Sequence, residues 1–249
     1  MKKQWDAEDY RNSFGFVPNY GRAVLDLLEL KAGQKILDLG CGNGSLTKRL
    51  SEMGAAVTGA DSSAEMVALA RRDYPELDFV LADAEKLCFH EMFDAVFSNA
   101  VFHWISDQGA MLCGVAEALR PGGVLVCEFG GKGCGKKVHS ALSAAFEKRG
   151  RAYHMPFYFP SIGEYAPLLE KHGLTVDYAA LFDRPTKVEG AEGLKNWLGM
   201  FVTQPFEGIL EKEKQKILQE AEDCLRAELF DGTDWWIDYV RIRFRAVKR

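Results

Sequence analysis

Short apolar and β-branched runs alternate with helical patterns over residues 20–129. Between the runs, apolar residues recur three and four positions apart, as in helices that cover a sheet. Strands that are short, apolar on both faces and separated by helices are typical of a parallel sheet with helices on both sides. The sequence therefore predicts a doubly wound α/β fold. The predicted strands in this region are 35–39, 56–60, 79–82, 93–97 and 124–129.

The second half of the chain has a different pattern. A helix is predicted over about 136–149 and a sixth strand over 174–182. Residues 190–230 are helical and rich in charge, and we interpret them as an insert that forms a lid over the site. Over 236–247 apolar residues alternate with arginines, which predicts a half-exposed last strand at or next to a sheet edge.

Local signals also predict helix boundaries. Ser62 and Glu65 have the spacing of a capping box and are expected to begin one helix. Gly54 is expected to end the preceding one, because glycine readily adopts the left-handed conformation that follows a helix.

A glycine-rich turn, Asp38-Leu-Gly40-Cys-Gly42-Asn-Gly44, follows the first predicted strand and precedes a helix. Alternate glycines let the backbone turn tightly and approach a ligand, and the helix N-terminus offers free N–H groups. Asp61, at the end of the second strand, lies 21 residues after Gly40, at the position that commonly binds ribose hydroxyls. A nicotinamide or flavin cofactor fits these features equally well.

Three details favour a cofactor that has no phosphate. The dinucleotide fingerprint G-x-G-x-x-G requires a glycine where this chain has Ser45. Asp38 places a carboxylate where a pyrophosphate would be repelled and an ammonium group attracted. Asp83, which ends the third strand, can accept a hydrogen bond from an adenine amine. A cofactor with ribose, adenine and positive charge is S-adenosylmethionine.

An ordered set of motifs over about residues 20–130 resembles the class I S-adenosylmethionine-dependent methyltransferases. The stretch 98–104, with Trp5 and Tyr10 ahead of it, is similar more narrowly to the trans-aconitate methyltransferase branch. The resemblance implies a seven-stranded, mostly parallel sheet whose last strand is antiparallel, in agreement with the alternation at 236–247. The motifs are the glycine turn, Asp61, Ala82-Asp83-Ala84, Phe93-Asp-Ala-Val-Phe-Ser-Asn99 and Leu119-Arg-Pro-Gly-Gly123.

The resemblance also implies roles in cofactor binding. Asp38 would hold the methionine amino group, and Asp61 would bind both ribose hydroxyls. Helix or turn capping is the alternative for Asp61 and Asp83, and packing is the alternative for Tyr10. The implied cofactor-binding residues are Asp38, Gly40, Cys41, Gly42, Asp61, Ser62, Asp83, Ala84 and Asn99, with Tyr10 closing over the cofactor.

On this interpretation the chain is a single methyltransferase domain over 1–249. Residues 1–19 close over the cofactor, 20–130 bind it, and 131–249 form the substrate-side half. The helical insert at 190–230 and the final strand at 236–247 belong to that half.

Candidate substrate residues lie near the expected methyl position or in the variable half. A carboxylate acceptor, with a pKa of about 4, is ionised at pH 7 and needs no general base, unlike many amines, thiols and phenols. His103, just past the fourth strand, is a candidate to orient or deprotonate the substrate, and a histidine satisfied by a local turn is the alternative. Candidate pocket residues are Phe14, Phe16, Trp104, Tyr158 and Trp197. Cationic side chains available for a tricarboxylic acid are Arg11, Arg22 and Arg184.

Composition and charge narrow the possible partners. The formal net charge of −5 gives no broad electrostatic reason to bind nucleic acid. No apolar run approaches the roughly 18–20 residues that cross a bilayer, and the N-terminus lacks a secretory h-region. Six cysteines without a C-x-x-C pair are expected to be reduced thiols in a cytoplasmic protein. We expect a monomer or weak dimer with a small-molecule substrate, no membrane association and no metal.

Rival interpretations remain open at this point. Residues 130–137 match G-x-x-x-x-G-K, but Lys137 stands where a P-loop needs Ser or Thr, so we interpret the segment as a flexible basic loop. Ser45 and Asp38 disfavour a nicotinamide-dependent oxidoreductase. A non-catalytic cofactor-binding protein, and N- or C-methylation of another metabolite, are alternatives to O-methylation of a carboxylic acid.

Overall fold

The computed structural model describes residues 22–249. Tyr10, Phe14, Phe16 and the other residues before 22 lie outside this range. The strands are β1 (Lys35–Leu39), β2 (Ala56–Asp61), β3 (Asp78–Leu81), β4 (Phe93–Asn99), β5 (Leu119–Gly130), β6 (Leu174–Asp183), β7 (Thr186–Val188), β8 (Trp235–Ile237) and β9 (Val240–Lys248).

Helices connect most of these strands, as the apolar periodicity predicts. None of the described helices is long and apolar enough to cross a membrane. The helices are α1 (Arg22–Leu25), α2 (Ser45–Glu52), α3 (Ala64–Asp73), α4 (Gln108–Ala118), α5 (Lys136–Glu147), α6 (Ile162–Lys171), α7 (Gly193–Phe201) and α8 (Glu211–Leu229). Short 3-10 turns cover 26–28, 84–86, 102–104 and 204–206.

A seven-stranded sheet has the order β3-β2-β1-β4-β5-β9-β6. The pairs β1–β2, β1–β4, β2–β3 and β4–β5 are parallel, and β9 is the antiparallel strand, inserted between β5 and β6. The two core clusters take alternate residues of the same strands, Leu37 in one and Ile36 in the other. Because successive side chains of a strand point to opposite faces, both faces of the sheet are buried. The predicted fold class is confirmed.

The predicted start of the last strand is wrong. The segment predicted as one strand over 236–247 is two: β8 pairs with β7 in a separate antiparallel sheet, and β9 begins at Val240. The buried positions change phase between them, from Trp235 and Ile237 to Ile242 and Phe244. A shift by one residue turns every side chain to the other face, so a single strand cannot bury both sets.

The arginine face of the last strand is also corrected. Arg241 and Arg243 are buried, at 6% and 9% exposure, instead of facing solvent. Arg243 pairs with Glu128 of β5, and this opposite charge allows a guanidinium to be buried. The predicted place of the strand next to a sheet edge is correct, since only β6 lies beyond it.

A third correction concerns the start of α3. Its N-cap is Ser63, whose hydroxyl accepts from the Met66 N–H at 3.2 Å, and not Ser62. Asp61 accepts a hydrogen bond from the Ser63 N–H, which holds the chain in a turn for one residue longer than the Ser62–Glu65 spacing implies. Gly54, with φ +97°, follows α2 as predicted.

The described contacts divide into two compact units. The first comprises the described residues of Met1–Phe129, with Pro160–Leu181 and Ile242–Arg249, and contains most of the large sheet. The second comprises Gly130–Phe159 and Phe182–Arg241, and in it α5 packs against α8 beside the β7–β8 hairpin. The helices α7 and α8 lie in the predicted insert at 190–230. The single domain and the lid stay predictions.

Candidate functional site

The carboxyl ends of neighbouring parallel strands bring acidic residues to one edge of the first unit. Asp38 on β1 is in register with Gly59 on β2, and Asp61 at the end of β2 is in register with Leu81 on β3. Asp83 follows the end of β3 by two residues. This is the edge at which doubly wound sheets bind their ligands.

Asp38 is a buried carboxyl beside the glycine turn, with 2% of its surface exposed. The Thr47 hydroxyl, from the first turns of α2, donates a 2.6 Å hydrogen bond to Asp38 Oδ2. Burial raises the pKa of Asp38 from 3.8 to about 7, the Thr47 hydrogen bond opposes this rise, and the negative charge of Asp61 adds to it. A cation placed beside this group would stabilise its ionised form.

Asp61 is held by two backbone donors. The Gly42 N–H donates to Oδ2 and the Ser63 N–H to Oδ1, both at 2.9 Å. Burial raises the pKa of Asp61 and these hydrogen bonds oppose the rise. Each carboxylate oxygen has a further lone pair, so a fixed, bidentate acceptor for two hydroxyl groups fits this geometry.

The glycines of the turn have different structural roles, although all adopt positive φ. A Cβ on Gly40 would stand 2.2 Å from Val101 Cγ2, and one on Gly44 would stand 2.8 Å from Phe79 Cζ. A Cβ on Gly42 would meet nothing within 4 Å. Gly40 and Gly44 therefore permit internal packing, whereas Gly42 leaves open space beside the turn, as a backbone that approaches a ligand requires.

This difference predicts the effect of alanine at two of these positions. Gly40→Ala is expected to destabilise the fold, because Val101 must move and the left-handed conformation adds strain of about 1–2 kcal/mol. Gly42→Ala has only the conformational cost, and is expected to remain folded while binding S-adenosylmethionine more weakly. Thermal unfolding and isothermal titration of both variants check this, and equal loss of stability in the two would contradict it.

The remaining cofactor candidates differ in their exposure and in their hydrogen bonds. The Asp83 side chain accepts from the Glu85 N–H at 3.2 Å and caps the 84–86 turn, so the capping alternative describes at least one of its contacts. Ala84 is buried and Ser62 is exposed. Burial raises the pKa of the Cys41 thiol, which keeps it protonated. The cofactor roles of these residues stay predictions.

The end of β4 contains a feature without a sequence signal. Asn99 is half-buried, and the next residue, Ala100, has φ +62°. The Ala100 N–H donates to the Glu128 carbonyl at 2.7 Å, which holds this strained conformation. His103 and Trp104 follow in the 102–104 turn with ring centroids 5.4 Å apart, and His103 is 8% exposed. Their substrate roles stay predictions.

Three of the other substrate candidates, Tyr158, Trp197 and Arg184, lie in the second unit. Tyr158 is exposed, whereas Trp197 is buried and its Nε1 donates to the Tyr239 hydroxyl at 2.6 Å. Contacts within this unit account for the position of Trp197. Arg184 stacks over the Phe182 ring at 5.0 Å. Arg11 and the side chain of Arg22 are not described.

The second unit also contains a polar pair that sequence reasoning missed. His139 Nδ1 and the Tyr153 hydroxyl are 2.6 Å apart, beside the rings of Phe157 and Phe159. Burial lowers the pKa of His139 to about 4, so its ring is neutral at pH 7. The two residues are fourteen positions apart in a helix and a loop, and no spacing rule links them.

The G-x-x-x-x-G-K segment has no free backbone cradle for a phosphate. The Gly131 N–H donates to the Val240 carbonyl and the Gly135 N–H to the Asp238 carbonyl. The Lys137 N–H, in the first turn of α5, donates to Asp238 Oδ2 at 2.8 Å. A carboxylate therefore lies where a P-loop would bind its anion.

The first-unit site fits S-adenosylmethionine better than a dinucleotide. The partly ionised Asp38 would hold its ammonium group, Asp61 its ribose hydroxyls, and the open side of Gly42 would accommodate its approach. The buried carboxyl of Asp38 and the half-buried carboxyl of Asp61 would repel a diphosphate.

Comparisons with known proteins agree with this fit. Residues 37–127 match the family model described as a methyltransferase domain. An uncharacterized methyltransferase of Schizosaccharomyces pombe is 32% identical over 98% of both chains, and a trans-aconitate 2-methyltransferase of Deinococcus radiodurans is 30% identical over 98% of both.

A solved structure with a bound cofactor product has the same fold. The phosphoethanolamine N-methyltransferase 2 of Haemonchus contortus, in complex with phosphomonomethylethanolamine and S-adenosylhomocysteine, superposes with a TM-score of 0.63 at 20% identity, covering 97% of this chain and 56% of that one. The strand order, the acidic strand ends and the full-length relatives agree: the chain belongs to the class I S-adenosylmethionine-dependent methyltransferases.

Proposed function

We propose that the protein methylates a carboxylate oxygen of a small-molecule acid. The observation that carries the proposal is the similarity to a trans-aconitate 2-methyltransferase over 98% of both chains.

The chemistry makes modest demands on the protein. S-adenosylmethionine, when bound, supplies a methyl group activated by the sulfonium. Asp38 would bind the ammonium group and Asp61 the ribose hydroxyls, which orients the cofactor. The acceptor carboxylate is ionised at pH 7, so His103 would orient it by a hydrogen bond and need not remove a proton.

An acceptor screen tests the proposal. Incubation with labelled S-adenosylmethionine and trans-aconitate, other di- and tricarboxylic acids, amines and phenols is expected to yield methyl esters, identified by their hydrolysis in mild base. Transfer to amines or phenols alone would contradict it and would favour N-methylation or phenol O-methylation. His103→Ala is expected to raise KM for the acid, and unchanged kinetics would remove His103 from the site.

We also propose that the protein acts in the cytoplasm, as a monomer or weak dimer, without nucleic acid. All six cysteines are free, which suits a reducing compartment. The burial of Arg241 and Arg243 removes the row of exposed arginines that would favour RNA. An RNA affinity that weakens with salt would contradict this part of the proposal.

A further inference from the structure

We propose that Arg241 binds a carboxylate group of the acceptor. This inference deepens the proposed function and rests on it, because the anion it names belongs to the small-molecule acid.

Arg241 is a buried cation without a protein counter-ion in the described part of the chain. It is 6% exposed, and its Nε is sealed from solvent without a hydrogen-bond partner. Its guanidinium has no ion pair or hydrogen bond with a described residue, and its ring contact is with Tyr239, at 4.8 Å from the ring centroid. An unpaired buried charge costs several kcal/mol, so this arrangement needs a compensating anion.

The neighbouring arginines of the same strand are each paired with a carboxylate. Arg243 Nε and Nη2 donate to Glu128 Oε2 at 2.9 and 2.6 Å. Arg245 pairs with Asp177. Each of these guanidinium groups has a carboxylate partner on an adjacent strand, whereas Arg241 has none among residues 22–249.

The surroundings of Arg241 hold its side chain in one place. The Tyr239 ring contacts the guanidinium, and the Tyr239 hydroxyl accepts from Trp197 Nε1 at 2.6 Å. The thiol of Cys134 is buried nearby, close enough for the charge of Arg241 to lower its pKa against the effect of burial. Asp238, the acid closest in sequence, accepts from the Lys137 N–H through Oδ2, and its Oδ1 is buried without a hydrogen-bond partner. No described ion pair joins it to Arg241.

Arg241 is the second residue of β9. The Gly131 N–H, just after β5, donates to the Val240 carbonyl at 3.0 Å. A planar guanidinium matches a carboxylate with two parallel hydrogen bonds, so we assign the anion as a carboxylate.

Binding measurements on three variants test the assignment. Trans-aconitate is titrated into the wild type, Arg241→Met, Arg241→Lys and the control Arg151→Met, with S-adenosylhomocysteine present. Arg151 is an arginine of the same unit that pairs with Glu213 near the surface. The uncharged trimethyl ester of trans-aconitate and inorganic phosphate serve as comparison ligands.

We expect Arg241→Met to bind trans-aconitate at least about 30-fold more weakly, Arg241→Lys to retain part of the affinity, and Arg151→Met to match the wild type. The trimethyl ester should bind poorly to every form. Without ligand, Arg241→Met should unfold at the same or a higher temperature than the wild type, because it lacks the unpaired charge.

Different results would contradict the role of Arg241, the identity of the anion and the proposed function. Wild-type affinity in Arg241→Met, or a lower unfolding temperature with unchanged affinity, would show a structural arginine and overturn the inference. Tighter binding of phosphate than of any carboxylate would overturn the assignment of the anion. If Arg241→Met loses affinity for trans-aconitate but the wild type methylates no acid, the inference holds and the proposed function fails. If Arg241→Met methylates acids with the wild-type KM, the proposed function holds and the inference fails.

Discussion

Asp38→Asn is expected to abolish the binding of S-adenosylmethionine and to stabilise the ligand-free protein at pH 8. The substitution removes the charge that would hold the ammonium group, and loss of one partner of a buried charge pair costs about 2–5 kcal/mol of binding free energy. Asparagine keeps an oxygen that can accept the Thr47 hydrogen bond, so the local packing is retained.

The stability change has a defined pH dependence. The pKa of Asp38 is 3.8 when unperturbed and about 7 in the folded protein, so between these values the folded state binds more protons than the unfolded state. The free energy of unfolding therefore falls as pH rises through this window, and the loss is complete above pH 7. The advantage of Asp38→Asn should grow from pH 4 to pH 7, up to about 4 kcal/mol, and then stay constant.

Denaturant unfolding at several pH values, with titration of S-adenosylmethionine, measures both effects. Asp78→Asn is the matched control, since Asp78 is an exposed acid at the opposite end of β3. Wild-type cofactor binding should also weaken below pH 7, because protonated Asp38 carries no charge. Retained cofactor affinity in Asp38→Asn, or a lower stability than the wild type at pH 8, would refute this account of the site.

Glu128→Ala is expected to produce the largest loss of stability among the substitutions considered. Glu128 and Arg243 are 1% and 10% exposed at their side chains, and their hydrogen bonds cross from β5 to β9. Removing the carboxylate leaves Arg243 buried without this partner, a change that costs about 3–5 kcal/mol in comparable pairs. Denaturant unfolding provides the measurement.

A double substitution separates the effect of the Glu128–Arg243 ion pair on stability from the effect of side-chain packing at the same positions. Glu128→Met with Arg243→Met should recover most of the stability, because two apolar side chains of similar volume need no desolvation of charge. Glu76→Gln, at the exposed pair with Lys48, is the control and should change the free energy of unfolding little. A Glu128→Ala variant as stable as the wild type would show that the pair contributes no net stabilisation.

Much of the fold and part of the site follow from local patterns. The strand 35–39 is correct in both bounds, and the glycine turn and Asp61 lie at the predicted sheet edge, because glycine spacing and strand period are local properties. The start of the last strand was wrong because apolar alternation looks continuous across Asp238 and Tyr239, although its phase changes there.

Other features have no local signal. Ala100 adopts φ +62° with its N–H bonded to the Glu128 carbonyl, and alanine itself gives no sign of this conformation. Arg243 was expected in solvent, since its partner Glu128 is 115 positions away in the chain. Pairings over such separations depend on strand order, which a single sequence specifies only indirectly.

The amino-acid sequence by itself determined the α/β class, the glycine turn and the acidic strand ends, and through its ordered motifs the methyltransferase family. The tertiary structure alone decided which acid is buried, which arginine has a partner and which glycine has open space beside it. Periodicity and turn chemistry act over a few residues, whereas desolvation and ion pairing arise only when distant strands pack together. The charges of Asp38 and Arg241 therefore acquire their chemistry from the fold.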